Sequence, residues 1–558
     1  MKNYAIVFLI SISSVSFASW QQIGSDINGE AAGDSSGISV ALSADGSIVA
    51  IGASGNSDNG NYAGHVRVYN LSSVQGITIA DSPWAQLGSD INGDPVGGGF
   101  GYRLDISSDG TIVAIAASYN PLGYVGVYQY DPTSADWTKI GSNIVGEDID
   151  GFGQSVAISS DGTRVVIGAP FNNDFTGAVR VYEYDGIDWI QLGSDIDGEA
   201  TGNNSGGSID ISADGTIVVI GAQSNDDNGN NAGHARVYEY DGIDWIQLGS
   251  DIDGEAAGDL FGRSVAISSD NPPDLFVAIG ATGNDDNGNN AGHARVYQYD
   301  PTSADWIQLG SDIDGEAAGD LSGLSISLSA DGPPLGTIVA IGAQGNDDNG
   351  NLAGHARVYQ YDPTSADWVQ RGADIDGEAE RDAFGTSVHL NNGGTVVAIG
   401  ATGNDGNGDY AGHVRVMHTL PDSDGDGLVD YDELYAYGTA TNNIDTDGDG
   451  WSDSFEVNLS YTFSATNNDS AIISSNSTVS SELEAAALLL TTNQAYAMLD
   501  DAYTDDIVMS VSNDIADIVM TLEQSTNLSV GAWTTNKFLT NSVPVDADAK
   551  FFRFRLAE

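Results

Sequence analysis

Two stretches of this chain carry its sharpest chemical signal. Asp422–Glu433 reads DSDGDGLVDYDE and Asp445–Glu456 reads DTDGDGWSDSFE. In each, Asp stands at positions one, three, five and nine, Gly at six and Glu at twelve. Calcium is a hard cation that takes about six to eight oxygens, and this spacing wraps carboxylates around an ion while the glycine permits the sharp turn. Asp422, Asp424, Asp426, Asp430 and Glu433 are the candidate ligands of the first loop. Asp445, Asp447, Asp449, Asp453 and Glu456 are those of the second, and Leu428 and Trp451 offer backbone carbonyls at position seven. The competing reading is an acidic linker that holds no ion. With calcium bound, a self-repelling segment becomes a compact spacer.

Other chemistry-bearing residues recur. DxDGE appears as Asp195, Asp197, Glu199, as Asp251, Asp253, Glu255 and as Asp312, Asp314, Glu316. These carboxylates could gather calcium, or form solvated turns in which Asp caps backbone amides. His65, His234, His293, His355 and His413 each sit in Ala-Gly-His-x-Arg-Val. Equivalent histidines, one per repeat, cannot converge on one metal, so each is expected to make a structural hydrogen bond at a strand start. The arginines that follow, such as Arg236 and Arg295, are expected to pair with carboxylates. His389, Lys139, Arg164 and Tyr124 break the repeat without forming a catalytic spacing, and no serine elbow, HExxH or cysteine is present. The chain is therefore not expected to be an enzyme.

The frame for these residues is an internal repeat. WIQLGSDIDGEATGNNSGGSIDISADGTIVVIGAQSNDDNGNNAGHARVYEY (Trp189–Tyr240) recurs with variations from Trp20, Trp84, Trp137, Trp245, Trp306 and Trp368. Each copy contains an alternating strand such as SVAIS, an unbroken apolar run such as FVAIG, then HARVYQY and WIQLG, separated by Asp-Gly and Asn-Asp turns. Four short antiparallel strands repeated seven times predict an all-β, seven-bladed β-propeller. The first Trp strand has no partners before it, and the last copy ends at HVRVMHTL with no Trp strand after it. The N-terminal strand is thus expected to complete the seventh blade and remove the open edges.

Phe152–Pro170 reads FGQSVAISSDGTRVVIGAP, and Phe100-Gly101, Phe261-Gly262 and Phe384-Gly385 repeat its first element. Across residues 20–420 this resembles the FG-GAP repeats best known from the integrin α-subunit head. The resemblance implies the propeller fold and says little about activity. Where integrin repeats hold a DxDxDG calcium loop, this chain has a short Ser-Ala-Asp-Gly turn, so those calcium sites do not carry over. The paired loops after residue 421 resemble the bacterial relatives of thrombospondin type-three calcium repeats. HTLP before Asp422 cannot supply the entering helix of an EF-hand.

Strand alternation puts the loop between the second and third strands on the same face as the blade-to-blade loop. Blades one, four, five, six and seven carry long acidic loops starting at Asn56, Asn225, Asn284, Asn346 and Asn404. Blades two and three carry SYNPLG and FNNDFT. An acidic crescent with a notch displaying Tyr119, Tyr124, Phe171 and Phe175 is the candidate ligand surface, with mutual packing of these aromatics as the plainer alternative.

The net charge of −63, from 80 acidic and 17 basic residues, excludes a nucleic-acid-binding face and suits cation binding. Residues 1–18 read as a signal peptide, residues 19–420 as the propeller and residues 421–457 as the calcium-binding spacer. Residues 458–506 read as a linker with a helical segment, and residues 507–558 as a small β-rich module similar to one appended to many exported bacterial proteins. No later segment is apolar for long enough to span a bilayer. These parts imply a secreted or extracellular protein, retained at the surface or released, that recognises a protein or carbohydrate ligand. An extracellular polysaccharide-degrading enzyme and a structural surface-layer component are the alternatives.

Overall fold

The computed structural model describes residues 20–419, apart from 72–82, 96, 120–121, 148–149, 269–274 and 330–335. It also describes residues 439, 440, 443 and 446, and the backbone of three later strands. The signal peptide, every candidate calcium ligand of the two loops and the 458–505 stretch lie outside the described residues. The chain divides into two compact units, Met1–Pro421 and Asp422–Glu558. In the second, Asp506–Ser512, Ile515–Thr521 and Leu539–Pro544 form an antiparallel sheet.

The first unit is the seven-bladed propeller that the repeat implies. Blade five shows the plan. Phe261–Ile267 is the innermost strand, followed outward by Phe276–Ala281, His293–Asp300 and Asp305–Gln308, all antiparallel. The second strand is covered on both faces, which is why it reads as an uninterrupted Val/Ile/Ala run. The outer strand breaks at Leu309–Asp312, and Ile313–Asp314 resumes pairing against His293 and Ala294. Each blade therefore has a fifth, two-residue strand that the four-strand expectation did not contain.

Closure follows the expected scheme. Gln21 and Gln22 pair with His418 and Met417, and Ile27 and Asn28 with Val414 and His413. The strand that begins the propeller thus finishes its last blade.

The repeat's signature residues are the ones that join blade to blade. Gly262, of the Phe-Gly pair in blade five, has φ +84° and presents its carbonyl to Gly221, of the Ile-Gly-Ala run in blade four. A methyl group on Gly221 would stand 2.3 Å from that oxygen, so the two motifs must meet glycine to glycine. Ser208 Oγ donates to the same Gly262 carbonyl at 2.8 Å. Around the rim, the indole N–H of Trp245 donates to Leu192 O at 2.9 Å, Trp306 to Leu248 O at 2.9 Å and Trp368 to Leu309 O at 2.8 Å. Each tryptophan thereby fastens its blade to the one before. Phe100, Phe152, Phe261 and Phe384 are fully buried between blades.

Candidate metal and ligand sites on the loop face

The long acidic loops and the blade-to-blade loops do share one face, and they are locked to each other. Asn225 Oδ1 accepts the Asp227 N–H at 2.9 Å, an Asx turn that fixes the start of the blade-four loop. Asn228 Nδ2 then donates to Gly254 O at 2.7 Å, and Gly258 N to Asn230 O at 3.0 Å. Asn287 and Gly315 repeat the first of these latches in blade five, and Asn349 and Gly377 in blade six.

This latching brings carboxylates of two loops to the histidine of the third strand. In blade four, Glu199, Asp227, His234 and Asp251 place one donor atom each within 4.8 Å of one another. Glu255, Asp286, His293 and Asp312 do so in blade five, and Glu316, Asp348, His355 and Asp374 in blade six. Blades seven and one have three-residue versions, Asp26, Glu378, His413 and Glu30, His65, Asp90. The carboxylates of one DxDGE do not converge with each other. Its Glu turns to the blade that follows, and its first Asp to the blade that precedes.

The histidines depart from expectation. His65, His234, His293 and His355 are at most 1% exposed, and neither ring nitrogen of any of them has a hydrogen-bond partner. The predicted structural hydrogen bond is absent because the backbone groups at the strand start are already used in the sheet, as in the His234 to Ala222 pairing. Burial, with Arg236 beside it, lowers the pKa of His234 to about 4, so the ring is neutral at neutral pH. His234 Nδ1 lies 3.7 Å from Glu199 Oε2.

The arginines meet carboxylates only in part, since Arg415 donates instead to Gln22 Oε1 (3.3 Å) and Asp376 O (2.9 Å). Arg295 holds Asp312 with both Nε (2.8 Å) and an Nη (2.6 Å) and also reaches Glu255. Arg236 and Arg357 instead turn one Nη to the carbonyls of Asp197 (2.9 Å) and Asp314 (2.6 Å), leaving Glu199 and Glu316 at 3.8 and 3.6 Å.

Of the four notch aromatics, three reach the surface. Tyr119 is 58% exposed, Phe171 40% and Phe175 53%. Tyr119 lies against Tyr102, and Phe171 against Phe175, with ring centroids 5.2 and 5.4 Å apart. Tyr124 is not displayed: it is 6% exposed and stacks on Phe100 at 6.0 Å. It occupies the register position that histidine holds elsewhere, opposite Ala117 on the second strand, and so points into the blade interface. The blade-three loop is strained, with Asn173, Asp174 and Phe175 all left-handed at φ +49°, +58° and +63°.

The residues that break the repeat have local partners. Arg164 pairs with Glu183 at 2.9 Å, and Lys139 contacts Asn143. His389 lies on the innermost strand of blade seven, where its Nδ1 accepts the Leu42 N–H at 3.2 Å. Asp105 and Asp210 occupy that same strand position in blades two and four and were not singled out from sequence. Each accepts two backbone N–H groups at 2.8 Å, one from its own strand and one from the next blade. Their signal was an Asp in a strand whose copies in blades three and five read Val-Ala-Ile.

The FG-GAP repeat family matches residues 145–182 and 252–297. The bacterial thrombospondin type-three repeat family matches residues 422–439 and 445–459, the stretches that contain the candidate calcium ligands. No curated protein matches the chain. Among solved structures it is similar to Kuenenia stuttgartiensis hydrazine synthase at 12% identity, over 68% of this chain and 94% of that one, with a TM-score of 0.42. It is likewise similar to the WD40 repeats of RRP9 at 12% identity, over 72% and 99% of the two chains, with a TM-score of 0.42.

Proposed function

We propose that this chain, a seven-bladed propeller of FG-GAP repeats followed by bacterial thrombospondin type-three repeats, is an exported calcium-binding protein that recognises a ligand through its loop face. Both repeat types are typical of extracellular proteins, and no described helix is long and apolar enough to cross a membrane. The single observation that carries the recognition reading is the gap in the acidic crescent. Blades two and three lack the long loops and present Tyr119, Phe171 and Phe175 instead, the last on left-handed backbone.

A half-exposed aromatic beside a carboxylate-rich rim offers a flat apolar face with hydrogen-bond acceptors around it, and a sugar ring fits that chemistry. In this reading the calcium repeats form the spacer that follows the propeller in the sequence, and adhesion to a glycan or a glycosylated surface is the activity. The test is binding of the mature chain to a panel of immobilised polysaccharides and glycoproteins in calcium. Tyr119→Ala with Phe175→Ala should abolish capture of the best ligand. Capture unchanged in the double variant removes the notch from the mechanism. Release of soluble fragments from a polysaccharide would favour the enzyme alternative, and ordered self-assembly without capture would favour a surface-layer component.

A further inference from the structure

We propose that blades four and six each hold a first-row divalent transition cation of the zinc class, bound by Glu199, Asp227, His234 and Asp251 and by Glu316, Asp348, His355 and Asp374. This goes beyond the calcium of the spacer, and it concerns a different donor set.

Three observations converge. The first is geometric: one oxygen from each of three carboxylates and one imidazole nitrogen lie within 4.8 Å of one another in both blades. Zinc bonds of ~2.0–2.2 Å require these donors to draw together slightly, and Glu199 and Asp227 are exposed enough to move. The second is the histidine. His234 and His355 are buried to within 1% of complete, and both ring nitrogens of each lack a hydrogen bond. A buried polar group without a partner is costly, and a metal bond to Nδ1 gives one of the two nitrogens its partner.

The third is the pattern across the ring. The long acidic loop and the histidine occur together in blades one, four, five, six and seven. Blades two and three lack both, with Tyr124 and Ala178 at the histidine position. In four of those five blades the loop also carries an Asp two places after its first Asn (Asp58, Asp227, Asp286 and Asp348), and a loop carboxylate found at that place only beside a strand histidine serves one shared ligand more readily than two separate structural roles.

The donor set selects the ion. An imidazole among carboxylates suits zinc, manganese or cobalt, whereas calcium takes oxygen alone. The blades are also distinguished from one another. In blade five Arg295 already clasps Asp312 and Glu255, so the guanidinium stands where the ion would. In blade seven the loop reads Asn404-Asp405-Gly406, and the loop carboxylate is missing.

Cobalt(II) is the probe, titrated into the mature full chain in excess calcium so that the spacer loops are filled. Two equivalents should bind, with the visible absorption of cobalt in a nitrogen- and oxygen-liganded site. Asp227→Asn with Asp348→Asn, both at exposed positions that an amide occupies without strain, should lose both equivalents while circular dichroism stays unchanged. His234→Gln with His355→Gln should remove the visible band even if residual cobalt remains. No cobalt uptake in excess calcium, or the same uptake in the Asp227→Asn, Asp348→Asn variant, overturns the proposal.

Discussion

The indole N–H of Trp20 donates to the carbonyl of Arg371 at 2.7 Å, across the junction where the end of the repeat array meets its beginning. The same bond joins the other six blade pairs, from Trp84 to Ile23 O through Trp368 to Leu309 O. The rim is therefore an unbroken circle of tryptophans, and the N-terminal residue of that circle is its clasp.

Two changes at the clasp separate a bond from an edge. Trp20→Phe keeps the ring but drops the N–H, and should cost about 1 kcal/mol in thermal or denaturant unfolding. Deleting residues 20–28 removes both strands that pair with His413–His418 and exposes a strand edge. That variant should associate in a concentration-dependent way by light scattering, as open edges do. A monomeric deletion variant of unchanged stability would show that closure is dispensable.

The glycine-to-glycine approach between blades gives a second prediction. Gly221→Ala puts a methyl 2.3 Å from Gly262 O and should destabilise by about 1–3 kcal/mol, since neither backbone can retreat without disturbing a sheet. Gly393→Ala is the control, because Gly393, like Gly221, has no positive φ, and its added methyl comes no nearer than 3.7 Å to any neighbour. Unfolding midpoints of the two variants, compared with the parent, decide the matter. Equal effects would mean that the close approach of the two motifs contributes nothing.

The fold was legible because its signals repeat. A Trp strand, a Phe-Gly turn and an Ile-Gly-Ala run recur along the chain, and each is a contact between blades, so reading the repeat was close to reading the structure. The orphan strand at Trp20 announced closure for the same reason. What stayed hidden depends on register. Tyr124 looked like a loop aromatic because it follows SYNPLG, yet it begins the third strand and faces inward. Glu199 and Asp251 belong to different DxDGE copies, and only the latched loops show that they meet at one histidine. Asp105 is one odd letter in a strand, and its bond to the next blade's Ile158 N–H cannot be seen without the blade interface.

Calcium should act through the spacer loops. Asp424→Asn with Asp447→Asn removes the position-three carboxylate from each loop and should abolish calcium uptake of about two ions by calorimetry, leaving the propeller's unfolding unchanged. Persistence of the full uptake would move the calcium sites onto the disc.

His389 supplies a pH prediction on the acid side. Its Nδ1 accepts the Leu42 N–H, which requires the neutral ring, and burial lowers its pKa from the usual 6.5 to about 4. Below about pH 6.5 the unfolded chain takes up a proton that the folded chain refuses. The stability that this residue contributes is complete above that pH and is lost as pH falls towards 4. His389→Asn cannot titrate, so the stability gap between parent and variant should shift in the variant's favour between pH 6.5 and 4. A constant gap across that range would mean that the folded ring titrates normally.

Asp105 has the opposite sign. Burial first, and the charge of Asp210 second, raise its pKa from 3.8 to about 7, against the two N–H bonds that favour the charged form. Between about pH 4 and 7 the folded chain holds a proton that the unfolded chain has released, so stability falls as pH rises through this window. Asp105→Asn keeps an oxygen for one N–H group and carries no charge at any pH. Its stability should therefore gain on the parent steadily from pH 4 to 7 and run parallel above 7. Asp105→Ala should instead be less stable at every pH, by about 1–3 kcal/mol, because the N–H groups of Ile106 and Ile158 then lack the acceptor that Asp105 gives them. Parallel curves for parent and Asp105→Asn from pH 4 to 7 would place the carboxyl in the ordinary range.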